Sequence, residues 1–263
     1  MRTLRDCVYG QAVGDAIGVP YEFHDRGSFH CEDMVGHGSH DMPAGTWSDD
    51  TSMALALCDS IRELGRIDCD DMRARFVAWA GKGAYTVDGV FDVGRTTAVA
   101  LSAGEGLSGE RDNGNGSLMR TMPLAFTDAT DDEVRAVSAI THAHPTSTET
   151  CVAAVRFARL LAAGLSPREA AEGFWDEDLA AVEEEEVSSS GYVLDTWRAA
   201  SWCLLTTGDY ASCVLRAVNL GDDTDTTAAV AGAFAGIVYG VEGIPEGWME
   251  KLRGKDVIES CLF

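Results

Sequence analysis

Alanine-rich helical runs recur along this 263-residue chain, whereas no segment alternates β-branched with polar residues as a half-exposed strand does. Four of these runs span residues 53–64, 72–80, 97–103 and 196–205. Residues 130–133 and 166–169 read as capping boxes, the second with proline at the first helical position. The pattern predicts an all-α protein. No fixed-period repeat or linker divides residues 1–263, so we expect a single domain.

The composition is strongly acidic, with 43 Asp and Glu residues against 20 Lys and Arg residues and a formal net charge of −23. Such a surface repels phosphate groups, which argues against general binding to nucleic acids or anionic membranes but leaves room for one pocket for a phosphorylated ligand. The most apolar stretch, 228–241, is shorter than the roughly 20 residues that a membrane-spanning helix needs.

Eight cysteines are spread along the chain without a CxxC pair or a regular framework. Several lie within apolar helical segments, as Cys58 and Cys203 do. This distribution is typical of buried, reduced thiols. Because the first residues also lack a signal-peptide pattern, we expect a soluble, cytoplasmic protein. We expect it to be a monomer.

The first oxygen-rich turn, residues 48–51 (Ser-Asp-Asp-Thr), directly precedes an apolar helical run. A helix N-terminus favours such residues, since a hydroxyl caps free backbone N–H groups and carboxylates complement the helix dipole. The same side chains are closely grouped oxygen ligands for a hard cation. Taken alone, this turn is better explained by capping.

A second oxygen-rich turn, residues 223–226 (Asp-Thr-Asp-Thr), precedes a small-residue helix. Four acids and hydroxyls exceed what capping uses, because one side chain caps one or two backbone groups. Three glycines recur every four residues on one face of that helix: Gly232, Gly236 and Gly240. This spacing indicates close helix packing, which can bring two helix N-termini together. We therefore predict that the two turns share a site for two divalent cations.

Five blocks in order make the chain similar to a known family. They are residues 10–18 followed by Tyr21 and Glu22, then 48–51, 114–120, 141–145 and 221–226. On these blocks the chain resembles the ADP-ribosylglycohydrolase family, which includes dinitrogenase reductase-activating glycohydrolase and ADP-ribosyl-arginine hydrolases. The resemblance spans about residues 7 to 240. It implies a compact orthogonal helical bundle and a hydrolase that removes ADP-ribose from an acceptor with the help of two Mg²⁺ or Mn²⁺ ions.

The resemblance also implies roles for individual residues. It places metal ligation on Ser48, Asp49, Asp50, Asp223, Asp225 and Thr226. It assigns the ADP-ribose pocket to Glu22, Asn115, Gly116, Ser117, Met119 and His142. In the family pattern Glu22 lies in a mobile loop that approaches the metals, whereas without the family a loop glutamate is expected at the surface.

The implied reaction is hydrolysis of the bond between ADP-ribose C1 and an acceptor nitrogen or oxygen. A water activated by Asp49, Asp50 or Glu22 attacks C1, and the sequence leaves open which acid is the base. Block 141–145 is closer to the arginine-directed members, so arginine-linked ADP-ribose on a protein or small conjugate is the expected substrate. Serine-linked ADP-ribose, O-acetyl-ADP-ribose and a non-catalytic, ADP-ribose-binding or crystallin-like role remain as alternatives.

Several polar residues keep two interpretations. Arg120 can contact a phosphate or pair with an acid, and Asp92 can support a ligand or cap a helix. Asp222 has no role in the family pattern beyond capping or tuning the site. Four histidines and a cysteine between residues 24 and 40 raise the alternative of zinc, but their spacing fits no zinc motif.

Overall fold

The computed structural model describes residues 2–263 and shows a helical protein. Thirteen α-helices follow one another along these residues: α1 (Leu4–Gly18), α2 (Asp49–Leu64), α3 (Cys69–Lys82), α4 (Arg95–Ala103), α5 (Leu118–Thr121), α6 (Asp131–Ser138), α7 (Pro145–Ala162), α8 (Pro167–Ala171), α9 (Val193–Leu205), α10 (Tyr210–Asn219), α11 (Thr224–Tyr239), α12 (Glu246–Lys251) and α13 (Lys255–Cys261). Six short 3-10 segments join them: Val19–Tyr21, Gly38–His40, Met122–Phe126, Leu179–Ala181, Glu184–Glu186 and Val241–Gly243. Pairing between extended segments within residues 2–263 is limited to isolated β-bridges, so the all-α prediction is confirmed.

The helices begin before the apolar runs that predicted them. Helix α2 starts at Asp49 with Ser48 as its N-cap, and α3 follows its N-cap Asp68. Polar residues fill these first turns because their side chains accept hydrogen bonds from free backbone N–H groups. Both predicted capping boxes are present, with Thr130 and Ser166 as N-caps. Across the described range 2–263, no helix is both long and apolar enough to cross a bilayer.

Helices α1 and α11 touch backbone to backbone. A Cβ atom added to Gly10 would lie 2.2 Å from the Gly232 carbonyl oxygen, and one added to Gly18 would lie 2.3 Å from the Cα atom of Asp225. No side chain larger than hydrogen fits at such distances. The contact confirms the close packing predicted from the glycine spacing. It places the C-terminus of α1 beside the N-terminus of α11.

Apolar side chains from most of the helices form one continuous core around this pair. Phe157, Trp197 and Phe234 pack edge to face in it, with ring centroids 5.1 to 5.7 Å apart. This arrangement of aromatic rings stabilises a core beyond the area that it buries. All eight cysteines are free thiols, and seven of them are buried, which confirms the prediction made from their distribution.

Candidate metal centre and its cleft

Asp15 of α1 holds the turn at the start of α2. The Asp15 carboxylate is fully buried and accepts the Ser48 N–H at 2.9 Å, the Thr51 N–H at 3.0 Å and the Thr51 hydroxyl at 2.6 Å. Burial raises the pKa of Asp15 to about 6, and these hydrogen bonds oppose the rise. The sequence assigned Asp15 no role, because only the fold shows that α1 ends against this turn.

The N-terminal turn of α11 meets the N-terminal turn of α2. The hydroxyls of Ser48 and Thr226 both donate to Asp50 Oδ2, at 3.1 and 3.3 Å. Asn115 Nδ2 donates to Asp223 Oδ2 at 2.8 Å, which joins the loop before α5 to the same place. Two segments that are 170 or more residues apart in the sequence therefore form one cluster of oxygen atoms.

Three buried carboxylate oxygens in this cluster have no hydrogen-bond donor within residues 2–263: Asp50 Oδ1, Asp223 Oδ1 and Asp225 Oδ2. Burial first, and neighbouring carboxylates second, raise the pKa values of Asp49, Asp50 and Asp225 well above the usual range. A buried carboxylate without a partner is costly, so the cluster needs positive charge. The atoms that this cluster offers to a metal ion are all oxygens, which are the ligands that Mg²⁺ and Mn²⁺ prefer. The residues present therefore fit hard divalent cations.

Glu22 faces the cluster from the loop after α1, so the expectation of surface exposure from its position in a loop is wrong. Its side chain is buried, and one of its carboxylate oxygens lies within 4.8 Å of oxygens of Asp223 and Asp225. Burial first, and then the charges of Asp92 and Asp223, raise the pKa of Glu22 to about 9. The His40 ring forms a hydrogen bond with the Glu22 carboxyl group.

Within residues 2–263, one of the four histidines near Glu22 belongs to a group of possible metal ligands. His40 joins Glu22 and Asp92 in a second group of possible ligands, but the groups found among residues 2–263 contain no cysteine. His30 and His37 are exposed side chains. The oxygen-rich cluster is therefore the better candidate for a metal centre.

A cleft of about 300 Å³ opens onto this cluster. Eight residues with a predicted role line it: Glu22, Asp49, Asn115, Gly116, Met119, His142, Asp223 and Thr226. Ser48, Asp50 and Asp225 are buried in the oxygen cluster itself. Of the twelve residues to which the family resemblance assigns a role, the fold thus brings all but one to one cleft and its floor. The exception is Ser117.

Ser117 and Arg120 support the cleft from below. The Ser117 hydroxyl is fully buried and accepts from the Ser138 hydroxyl at 2.9 Å, so Ser117 does not line the cleft. Arg120 is also fully buried and donates to the Gly116 carbonyl oxygen at 2.7 Å and to the carbonyl oxygen of Val137 in α6 at 3.1 Å. The sequence suggested that Arg120 contacts a phosphate or pairs with an acid. Both interpretations are wrong, because the Arg120 guanidinium group donates its hydrogen bonds to nearby backbone carbonyl oxygens instead.

His142 forms one wall of the cleft. Its Nδ1 is hydrogen-bonded to the Thr141 hydroxyl at 2.8 Å. Burial first, and then the charge of Arg120, lower the pKa of His142 to about 3, so the ring is neutral at physiological pH. A Cβ atom added to Gly116 would lie 2.9 Å from the ring, so glycine allows the ring to pack against this loop.

The N-terminus of α4 also lines the cleft, which the sequence did not indicate. Arg95, Thr96 and Thr97 line the cleft there. The preceding residue, Gly94, is the N-cap of α4, so the capping interpretation of Asp92 is wrong. Asp92 lines the cleft instead. The sequence predicted a helical run from residue 97, but it did not show that the N-terminus of this helix lines the same cleft as Glu22, because that depends on packing between distant segments.

Comparisons with known proteins agree with this geometry. A family model described as ADP-ribosylglycohydrolase matches residues 2–262. An ADP-ribosylarginine hydrolase Tri1 of Serratia proteamaculans is 33% identical over 284 residues, which cover 97% of this chain and 76% of the relative. The ADP-ribosyl-[dinitrogen reductase] glycohydrolase of Rhodospirillum rubrum is 33% identical over 266 residues, which cover 94% of this chain and 88% of the relative.

A solved structure is also similar along nearly its whole length. It is described as an ADP-ribosylglycohydrolase-related protein complex and superposes with a TM-score of 0.81 at 28% sequence identity. The match covers 98% of this chain and 95% of the other. The chain therefore belongs to the ADP-ribosylglycohydrolase family and is an ADP-ribosyl hydrolase that acts on glycosidic bonds.

Proposed function

We propose that this protein hydrolyses the bond between ADP-ribose C1 and the guanidine nitrogen of arginine, with two divalent cations at its carboxylate cluster. The observation that carries the proposal is the set of buried carboxylate oxygens without donors at the floor of a cleft. Two relatives, at 33% and 34% identity, are named ADP-ribosylarginine hydrolases, which supports arginine as the acceptor.

Six side chains offer the oxygen atoms that would hold the cations: Ser48, Asp49, Asp50, Asp223, Asp225 and Thr226. Mg²⁺ or Mn²⁺ ions bound there would neutralise the carboxylates and act as Lewis acids towards the hydroxyls of the substrate ribose. Asp15 maintains the geometry of the first turn through its three hydrogen bonds, and Asn115 restrains Asp223. Such supporting bonds orient ligand side chains before a cation binds.

In the proposed reaction, the oxygen of a water molecule forms a bond to C1 while the bond from C1 to the guanidine nitrogen breaks. The carboxylate of Asp49, Asp50 or Glu22 takes a proton from that water. The leaving nitrogen keeps the electron pair of the broken bond and takes up a proton, so the products are ADP-ribose and arginine. Asn115, Gly116, Met119 and the neutral ring of His142 would bind the ADP-ribose part, since they line the remainder of the cleft.

The test is release of ADP-ribose from ADP-ribosyl-arginine, measured by chromatography with Mg²⁺, with Mn²⁺ and with EDTA. We expect release with the cations and none with EDTA. Asp225→Ala should lower turnover by about 10²-fold or more, because it removes one buried ligand of the charged centre. Asp222→Asn is a matched control, since the neighbouring Asp222 side chain is exposed and lies outside the cluster.

Three results would refute the proposal. The first is full activity of Asp225→Ala with Mg²⁺, which would show that the cluster is not the metal centre. The second is cleavage of serine-linked ADP-ribose or O-acetyl-ADP-ribose at a higher kcat/KM than that of the arginine conjugate, which would identify a different acceptor. The third is binding of ADP-ribose without any cleavage in the whole panel, which would indicate a non-catalytic relative.

A further inference from the structure

Phe23 is an aromatic residue at the rim of the cleft. It lines the cleft, yet 69% of its surface is exposed, more than that of any other large hydrophobic residue among residues 2–263. Its backbone adopts the left-handed conformation, with φ at 66°. A bulky aromatic residue rarely adopts this conformation, and such backbone strain is concentrated at functional sites.

Backbone hydrogen bonds to Asp222, the residue before the second oxygen-rich turn, hold Phe23 in place. The Phe23 N–H donates to the Asp222 carbonyl oxygen at 2.7 Å, and the Asp222 N–H donates to the His24 carbonyl oxygen at 2.8 Å. Asp222 also has a left-handed backbone, with φ at 60°, and directly precedes Asp223. This pairing fixes Phe23 beside the carboxylate cluster, with its neighbour Glu22 buried and its own ring at the rim.

The position of Phe23 next to Glu22 indicates which end of a bound substrate its ring would contact. Glu22 reaches within 4.8 Å of Asp223 and Asp225, where the proposed reaction cleaves the bond to C1. The acceptor is bonded to C1 and therefore lies at this end of the substrate. The adenine base is separated from it by the ribose and the pyrophosphate. A ring beside Glu22 is therefore placed to meet the acceptor rather than the base.

The charges of the cleft favour a cationic acceptor. Two acids that line it, Glu22 and Asp92, are not among the proposed cation ligands, whereas Arg95 is the one lysine or arginine that lines it within the described chain. A guanidinium group is attracted by carboxylates and stacks on the face of an aromatic ring. The ring of Phe23 lies 6.0 Å from that of His40, which supports it from one side.

We propose that Phe23 stacks on the guanidinium group of the acceptor and thereby sets the preference for arginine-linked over serine-linked ADP-ribose. The inference rests on the proposed function, because it requires that arginine conjugates are cleaved. It assigns Phe23 to the acceptor and not to the ADP-ribose part of the substrate.

The experiment compares kcat/KM for ADP-ribosyl-arginine and for a serine-linked ADP-ribosyl peptide in the wild type, Phe23→Ala, Phe23→Leu and Phe23→Tyr. Loss of the stacking contact should lower kcat/KM for the arginine conjugate by about three- to tenfold in Phe23→Ala and Phe23→Leu. Phe23→Tyr keeps an aromatic face and should retain most of the activity. The value for the serine conjugate should change by less than about twofold in every variant.

Two controls separate binding of the acceptor from other effects. The inhibition constant of free ADP-ribose, which has no acceptor, should not change in Phe23→Ala. Val77→Ala removes an exposed apolar side chain of α3 away from the cleft and should behave as the wild type with both substrates. The melting temperature of each variant is measured to check that it is folded.

The experiment distinguishes failure of the Phe23 inference from failure of the proposed function. Failure of the wild type to cleave ADP-ribosyl-arginine refutes the proposed function and this inference together. With an active wild type, equal losses for both conjugates or a weaker inhibition by ADP-ribose would overturn the assignment of Phe23 to the acceptor. Full activity of Phe23→Leu on the arginine conjugate would show that apolar cover, not an aromatic face, is what the acceptor requires.

Discussion

Asp15 and Asp50 are both fully buried at the same turn, yet their carboxylates have opposite surroundings. Asp15 accepts three hydrogen bonds, from the Ser48 N–H and from the N–H and hydroxyl of Thr51. Asp50 leaves one oxygen without a donor and lies near the charges of other acids. Asp15 is therefore suited to stabilise the fold. Asp50 is suited to bind a cation, but without a cation it lowers the stability of the fold.

We predict that Asp50→Asn stabilises the protein in EDTA. The amide carries no charge, so it removes one of several buried like charges that raise the pKa of Asp50. The gain should be about 1–3 kcal/mol, since one unit of pKa shift corresponds to about 1.4 kcal/mol. Thermal unfolding with EDTA and with Mg²⁺ measures it. Mg²⁺ should raise the melting temperature of the wild type and not that of Asp50→Asn. A lower melting temperature of Asp50→Asn in EDTA would contradict the prediction.

Asp15→Asn is the matched substitution, and we predict the opposite effect on stability. An amide turns one acceptor oxygen into a donor that faces the N–H groups of Ser48 or Thr51. The free energy of unfolding in EDTA should fall by about 1–3 kcal/mol. Because the turn is then less well ordered, the affinity for Mn²⁺ should fall by roughly 10- to 100-fold, the range for residues that support metal ligands. Urea unfolding and calorimetric titration test the two parts separately. Unchanged Mn²⁺ affinity would show that Asp15 acts on the fold alone.

At the scale of the element, the site depends on how closely two helices approach. The oxygen-rich turns form the N-termini of α2 and α11, and both were predicted because oxygen-rich residues followed by a helical run form a local signal. The burial of Glu22 was not predicted, since it results from the pairing of its loop with residue 222, almost 200 residues away. The partners of Arg120 were missed for the same reason, because the carbonyls that it binds include those at the end of α6.

The α1–α11 contact leads to a prediction for Gly10→Ala. The added methyl group would lie 2.2 Å from the Gly232 carbonyl oxygen, so the two helices must move apart. We expect a loss of about 3 kcal/mol or more in the free energy of unfolding, as for severe overpacking. Turnover should fall as well, because α11 carries Asp225 and Thr226 at its N-terminus.

Gly81→Ala in α3 is the control for Gly10→Ala. No atom lies within 4 Å of a Cβ added at Gly81, and this glycine is exposed. Alanine in a helix is favoured over glycine, so Gly81→Ala should raise the free energy of unfolding by about 0.5–1 kcal/mol. Urea unfolding measures both variants. Equal effects of the two substitutions would mean that the close approach of α1 and α11 is not what makes Gly10 necessary.

At the scale of the whole molecule, the net charge of −23 was the property most easily obtained from the sequence, and its effect extends beyond the site. Like charges on one surface produce a field that attracts cationic ligands and repels anionic ones. ADP-ribose carries negative phosphates, so the bulk of the surface does not favour that part of the substrate. The same field favours a substrate protein whose modified arginine lies within a basic segment.

We therefore predict that salt affects the enzyme according to the charge of its substrate. For an ADP-ribosylated peptide rich in lysine, kcat/KM should fall by roughly tenfold between about 20 mM and about 300 mM NaCl, because the Debye length shortens and steering weakens. For a peptide of equal length rich in glutamate, kcat/KM should rise over the same range, since salt screens repulsion. ADP-ribosyl-arginine itself is the reference. Dividing the kcat/KM of each peptide by that of ADP-ribosyl-arginine at the same salt concentration removes any effect of salt on the metal centre. The same response for both peptides after this correction would show that local contacts, rather than the field of the acidic surface, govern the encounter with substrate proteins.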